Sequence, residues 1–430
     1  VININPYRFA LGGQTPSLDL QFVNQNLTNV TTGTSPVTFT RASTGTFVGS
    51  NGLLQTAATN APRFNCNPLT GACLGLLIEE QRTNSIRNNT MVGAVAGTPG
   101  TAPTNWLAAT PANGITRQIV GTGTENGISY IDFRFSGTNT LGSGFYMDIA
   151  FDSGVIAAAQ GQAWTESIYA KLVAGSVSGA SFSTSPRLRL YELPSFTSSE
   201  LSLEAVSSAE LGSQRFAFSR TLTGVTTTGV SPRIAWLIAT GATIDFTLRI
   251  GMPQLELGAF ATSVIPTTTA AATRSADVAQ ITGTNFSSWY RQDEGTLFAE
   301  VGYQQNNLTS TQMAASFNDT TANNRWTAAF GSTGTGVMLR NTGGAGLVST
   351  STSNAATVGA TNKIAVAIST GASLVLNGGT VATNASYAAP TVTQLELGRH
   401  LGAGYFNGHL RRITYWPTRL PNAGLQQITT

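Results

Sequence analysis

The chain has 430 residues, of which 41% are apolar and only 10% charged, with a formal net charge of +3. That length accommodates two or three domains with cores of their own. Disorder is excluded because it pairs low hydrophobicity with high net charge, and the slight positive charge, without any long Lys/Arg run, excludes a nucleic-acid partner. No apolar run approaches 18 residues, so no membrane insertion is expected, and Val1-Ile2-Asn3-Ile4-Asn5 does not read as a signal peptide. Uncharged Thr, Ser, Asn and Gly fill the gap left by charge, which suits pleated, half-solvated surfaces joined by turns.

In chain order, Ile4 to Gly13 offers a short alternation and a turn at Gly12-Gly13. Leu18-Asp19-Leu20-Gln21-Phe22 alternates cleanly, which predicts a strand with Leu18, Leu20 and Phe22 on one face. Val37 to Arg41 repeats the pattern. Thr46-Phe47-Val48 then leads into Asn51-Gly52, a strong hairpin signal, with Leu53-Leu54-Gln55 beyond it. Pro62-Arg63-Phe64 and Gly75 to Glu79 read as a second hairpin around the cysteine loop. Cys66 and Cys73 either close that loop as a disulfide or stand as two free thiols. A zinc site is not expected, since His400 and His409 lie far away in sequence.

The series FTRASTGTFV, NGLLQTAATNAPRF and GACLGLLIEEQRTN resembles a block found in bacteriophage and prophage tail-fibre and other virion surface proteins. The resemblance covers about the first ninety residues; Cys66 departs from it, standing where an acidic or aromatic residue is expected. It implies an N-terminal β module over residues 1–90, serving virion attachment or intersubunit contacts, ahead of two further β domains.

The first of these spans 91–270. Tyr130 to Phe135, Phe145 to Ile149, Ala163 to Ala170, Arg187 to Tyr191, Arg215 to Phe218, Ile234 to Ile238 and Ile244 to Ile250 all alternate, which predicts a β-sandwich of jelly-roll type. Its order of features, and the closing words GMPQLELGAFATSVIPTTTAAATRSAD, resemble a carbohydrate-binding-module-like domain of phage fibres. Thr267 to Gln280 reads as a connector. The second domain spans 285–430, with short strands from Gly295 onward, a late strand before Trp416 and a helix-like tail after Pro421. It resembles a concanavalin-A-like or laminin-G-like sandwich. The fold class is therefore all-β: a small N-terminal β module followed by two β-sandwich domains.

Catalytic signals are weak. The adjacent carboxylates Glu79/Glu80 and Asp293/Glu294 point to opposite faces of a strand, so neither pair makes a glycosidase dyad by itself. No Gly-x-Ser-x-Gly elbow accompanies a histidine, and His409, alternating with Arg411, is expected on a solvated or interface face. The Gly343 to Gly346 stretch lacks a phosphate-loop lysine and reads as a turn. No Asp-x-Asp-x-Asp cluster supports calcium, and no catalytic residue, metal or cofactor is expected.

Sugar binding needs exposed aromatic platforms. Trp164 and Trp236 lie inside alternating apolar faces and are expected in the core. Trp106, Trp289 and Tyr405 stand beside Asn, Ser or Gly in loops and are the candidate ligand contacts. Arg41, Arg63, Glu79, Glu80 and Arg82 are expected to form a structural polar network. Together with the resemblance, these readings imply a non-enzymatic fibre or spike on the virion surface that attaches to host surface polysaccharide. Other virion proteins would be its partners, and it would act as a homo-oligomer, a trimer favoured. The alternatives are a head or tail decoration protein without receptor role and, third, a glycan depolymerase.

Overall fold

Strands dominate because period-two runs of β-branched, aromatic and threonine residues are punctuated by Gly and Asn turns. The computed structural model describes residues 13–304 and 310–430; the opening alternation and Gly12 lie outside them. Strand makes up 49% of the chain and helix 4%. The fold is all-β, built around two sandwiches.

The first sandwich is formed by residues from Ile86 to Leu255. Its five-stranded sheet runs in the order Arg215–Thr221, Ala163–Gly175, Thr243–Leu257, Ile128–Thr138, Ile115–Glu125. The six-stranded sheet runs Thr197–Ser202, Phe182–Leu193, Gly229–Ile238, Phe145–Ala150, Leu107–Ala108, with Ile156–Ala157 also paired to Gly229–Ile238. Trp164 and Trp236 lie in the shared core, Trp236 edge-on to Phe135 at 4.6 Å.

The second sandwich takes strands from both ends of the chain. Its eight-stranded sheet orders Ala382–Asn384, Ala372–Leu376, Thr361–Ile368, Gly295–Gly302, Gly408–Trp416, Cys73–Ile78 and Phe64–Cys66, with Leu18–Gln21 also on Gly408–Trp416. The seven-stranded sheet orders Thr38–Thr40, Val278–Thr282, Gln394–Leu397, Gln312–Asn318, Arg325–Phe330, Thr335–Asn341 and Val348–Ala355. The terminal helix Asn422–Thr429 lays Leu425 and Ile428 against Phe298, Ala365 and Trp416.

This pairing revises the expected N-terminal module. Leu18, Leu20 and Phe22 do share one buried face, but they bury it in the core of the second sandwich. Of the described residues 13–90, only the hairpin Gly45–Val48 with Leu54–Ala57 forms a sheet of its own. The stretch expected as a connector is also structural: Ala272–Arg274 pairs with Arg82–Asn84, and Val278–Thr282 pairs with Thr38–Thr40. The first sandwich is thus inserted into the second, and the chain runs into and out of it through two adjacent strands.

Candidate functional site

Chemistry-bearing residues come together at the junction of the sandwiches, in clefts of the surface, and on the outer faces of the sheets.

The junction holds the expected polar network, enlarged by residues from the supposed connector. Arg41 donates to Asp277 at 3.2 Å and to four main-chain carbonyls, those of Ser43, Ala57, Ala58 and Ala61. Arg63 pairs with Asp277 and, at 2.8 Å, with Glu79. Arg274 pairs with Glu79 at 2.9 Å and donates to the Glu80 carbonyl at 2.5 Å. Arg41, Arg63, Arg274 and Asp277 are at most 1% exposed. Burial pushes Glu79 up, yet Arg274, Arg63 and two hydrogen bonds from Ser263 hold it well below the usual carboxylate range. Glu80 and Arg82 sit at the rim as a separate pair, 2.6 Å apart. With Glu79 and Asp277 committed to arginines, the junction is built as a clamp between the sandwiches.

Beside the clamp lies a cleft of about 190 Å³ lined by Asn65, Glu79, Tyr169, Arg215 and His409. Of the two positions expected for His409, a solvated or an interface face, the solvated one does not hold: the residue is buried, because its strand is central in the eight-stranded sheet and its ring meets the cleft beside the inserted sandwich. The Val48 N–H donates to Asn65 Oδ1 at 2.7 Å, which leaves Asn65 Nδ2 to donate to His409 Nε2 at 3.0 Å. The ring must therefore be neutral at Nε2. Burial, opposed by Glu79 and reinforced by Arg63 and Arg411, lowers its pKa to about 4 from the ordinary 6.5. Between those values the unfolded chain binds a proton that the folded one refuses, so stability falls as pH drops from 6.5 toward 4. His409→Gln is expected to remove roughly 3 kcal/mol of that pH dependence, measured by urea unfolding at pH 7 and pH 4.5. Equal slopes for both proteins would sink the assignment.

The aromatic residues expected as ligand contacts are buried instead. Trp106 is 7% exposed: Asn105, at φ +71°, turns the chain so that the indole N–H reaches the Asn88 carbonyl at 2.6 Å. Its ring meets Phe151 edge-on at 5.1 Å. Trp289 packs against Phe286 and Tyr415, with only an edge reaching a cleft of about 350 Å³ shared with Ser17, Asn29 and Thr34. Tyr405 is buried too, reaching a cleft of about 360 Å³ beside Glu80, Arg82 and Phe260. Cys66 and Cys73 face one another across their hairpin as free thiols. Burial and the facing Cys73 push Cys66 up to about 11, so it stays protonated and unreactive at neutral pH. Among the described residues no group of three His, Cys, Asp or Glu is placed to hold a metal ion.

Exposed aromatic chemistry lies on the outer face of the six-stranded sheet. Along Phe182–Leu193 the inward Leu188 and Leu190 are fully buried, while Arg187, Arg189 and Tyr191 turn outward. Neighbouring strands add Tyr146 and Asp148, Arg233, and Glu200. The Tyr146 and Tyr191 hydroxyls meet at 2.8 Å. Arg189 donates to Tyr191 at 3.0 Å and to Glu200 at 2.8 Å, and Arg233 pairs with Asp148 at 2.5 Å. The Arg189 guanidinium lies 5.6 Å from the Tyr191 ring centre and 5.9 Å from that of Tyr146. Burial and the bond to Tyr191 push the Tyr146 phenol up, so it remains a neutral donor and acceptor.

At the rim of this face the turn after Leu193 holds Phe196, 62% exposed and edge-on to Tyr191 at 6.0 Å. Its φ is +54°, a left-handed conformation that costs a side-chain-bearing residue about 1–2 kcal/mol. The turn is tied down from below: Arg220 donates to Thr197 at 3.0 Å and to Glu192 at 2.6 Å, and Glu192 accepts the Gly224 N–H at 2.5 Å. The result is three aromatic rings beside a lattice of paired arginines and carboxylates. Such a surface offers flat apolar area and many directed hydrogen bonds, with its charges compensated in place.

No family model matches the chain, and no curated protein matches it. Among solved structures it is similar to the sialidase CBM40 of Ruminococcus gnavus bound to α2,3-sialyllactose, at 20% identity over 34% of this chain and 88% of that one, TM-score 0.31. It is also similar to a SAP-like pentraxin of Limulus polyphemus, at 13% identity over 32% and 70%, TM-score 0.25. Domains LG4-5 of mouse laminin α1 share 10% identity over 71% and 91%, TM-score 0.22. At these values the likenesses place the chain in no family.

Proposed function

We propose that this chain is a non-enzymatic bacteriophage virion surface protein, fibre- or spike-like, that attaches to host surface glycan through the outer face of its inserted sandwich. The observation that carries the reading is the exposed set Tyr146, Tyr191 and Phe196 beside Arg187, Arg189 and Glu200. Sugars present C–H faces that stack on aromatic rings and hydroxyls that bond to guanidinium and carboxylate edges. The virion setting is supported by the N-terminal block resembling tail-fibre proteins, and oligomeric avidity would multiply a weak single-site contact.

Binding is favoured over hydrolysis by the state of the carboxylates. A glycosidase acid needs a raised pKa. Glu200 is raised by burial, but Arg189 and Arg187 outweigh this and hold it below its ordinary value. The carboxyl that is raised, Glu166, is sealed in the core.

The test is a glycan array probed with the purified chain, followed by affinity measurements on the best ligand. Phe196→Ala and Tyr146→Ala are each expected to weaken binding about tenfold, as truncated aromatic anchors do, without shifting thermal unfolding downward. A wild-type chain that binds neither the array nor host polysaccharide would overturn the reading.

A further inference from the structure

The outer face of the seven-stranded sheet carries a second concentration of polar groups, far less compensated than the first. Register sets Gln394, Asn318, Arg325 and Asn341 in one row across four strands, and Glu396, Ser316 and Thr327 in the row beside it. The loop after Leu397 folds over these rows, so that His400 Nδ1 lies 2.8 Å from Ser316 Oγ. Ser316, Asn318, Thr327 and Glu396 are consequently almost fully buried.

Arg325 stands out on this face. Among the described arginines it is the one with neither a carboxylate nor a hydrogen-bond acceptor among its contacts, although it is half-buried and its Nε is shut off from solvent. The nearby carboxylates are already spent. Glu396 receives Arg399 at 2.6 Å, Asn318 at 3.0 Å and the Leu401 N–H at 2.7 Å. Asp319, in the turn before Arg325, receives Asn324 at 2.8 Å and Thr321 at 2.6 Å. Close by, His400 Nε2 is buried without a partner, as are Arg399 Nε and Asn341 Oδ1. Burial, with Arg325 and then Arg399, lowers His400 to about 4, which sets both guanidinium groups within electrostatic reach of the ring. Buried polar groups are almost always satisfied, so the orphan donors Arg325 Nε and Arg399 Nε call for a missing acceptor, whereas Asn341 Oδ1 would take a hydroxyl donor.

We propose that this face is a binding site for an oxyanion carried on a polysaccharide, a sugar carboxylate or a sulfate ester, seated on the planar guanidinium of Arg325. The forked donors of arginine match two oxygens of such a group. Arg399, next to it, adds positive charge that Glu396 alone offsets. The site is separate from the aromatic face of the inserted sandwich and does not depend on it.

The experiment is titration calorimetry of the whole chain at low salt with three probes: an oligogalacturonate, a sulfated dextran oligosaccharide and neutral dextran. One or both anionic probes are expected to bind, weakening as salt is raised, while neutral dextran does not compete. Whichever anionic probe binds names the source of the oxyanion. Arg325→Gln should lower that affinity at least tenfold, Arg325→Lys should lose part of it, and Phe196→Ala should leave it unchanged. Because Arg325 bonds to nothing else, the thermal midpoint of Arg325→Gln should match that of the parent. Failure of both anionic probes to bind, or equal binding by Arg325→Gln, would overturn the proposal while leaving the aromatic-face reading open to its own test.

Discussion

Asp277→Ala lowers the unfolding free energy by about 3–5 kcal/mol, the cost of leaving buried charges without their partner. Asp277 is fully buried between Arg41 and Arg63, and it also accepts the Glu79 N–H at 2.9 Å. Removing it leaves Arg41 with main-chain carbonyls but no carboxylate, and leaves Arg63 to pair with Glu79, in a place that water does not reach. Asp277→Asn is expected to lose most of the same stability, since it keeps the shape but not the charge. Urea unfolding followed by tryptophan fluorescence measures the loss. An Asp277→Asn midpoint equal to that of the parent would show that hydrogen bonding, and not ion pairing, holds the junction.

Glu166→Met acts in the opposite direction and stabilises the chain at neutral pH by about 2 kcal/mol or more. Glu166 lies in register between Phe218 and Leu255, on the inward face that also carries Trp164 and Ile168. Both its oxygens are buried, with the Arg233 N–H the one group near enough to favour its charge and no well-formed hydrogen bond, and an unsatisfied buried group costs about 1–3 kcal/mol. Burial raises its pKa well above the ordinary 4.5. Above pH 4.5 the unfolded chain releases a proton that the folded chain keeps, so the parent loses stability as pH rises through that window. Methionine, of similar volume, has no such dependence. The gap between Glu166→Met and the parent should widen from pH 4 to pH 8 in calorimetry, and a gap that narrows would contradict the assignment.

The strands were readable because burial of one sheet face imposes a period that neighbouring residues display. Leu18, Leu20 and Phe22 show it, as do Leu188 and Leu190. Asp19 could not be read as buried, because its partner Arg412 lies 393 residues away. The same limit concealed the clamp's second half: Arg274 and Asp277 sit in a bland Ala/Thr/Ser stretch, and the Arg63–Asp277 contact spans 214 residues. The burial of Trp106 is invisible in sequence, because polar loop neighbours say nothing about which way the Asn105 turn aims the indole. The alternation of Arg187, Arg189 and Tyr191 was visible, whereas the partners that make it a surface, Tyr146 and Glu200, come from other strands. Phe196 offered the one local cue, a bulky aromatic in a Pro-Ser turn where polar residues are the rule.

The paired strands Arg82–Asn84 and Ala272–Arg274 also decide how the molecule carries mechanical load. A pull applied at the Tyr191 face leaves the inserted sandwich through both strands at once and in one direction. The ladder between them is then neither sheared nor peeled apart, since its two halves move together. Tension passes instead to the side chains where the strands end. Arg274 is held there by Glu79 and the Glu80 carbonyl, and Arg82 by the Glu80 carboxylate. The inserted sandwich therefore hangs on a double tether with an ionic anchor at its root.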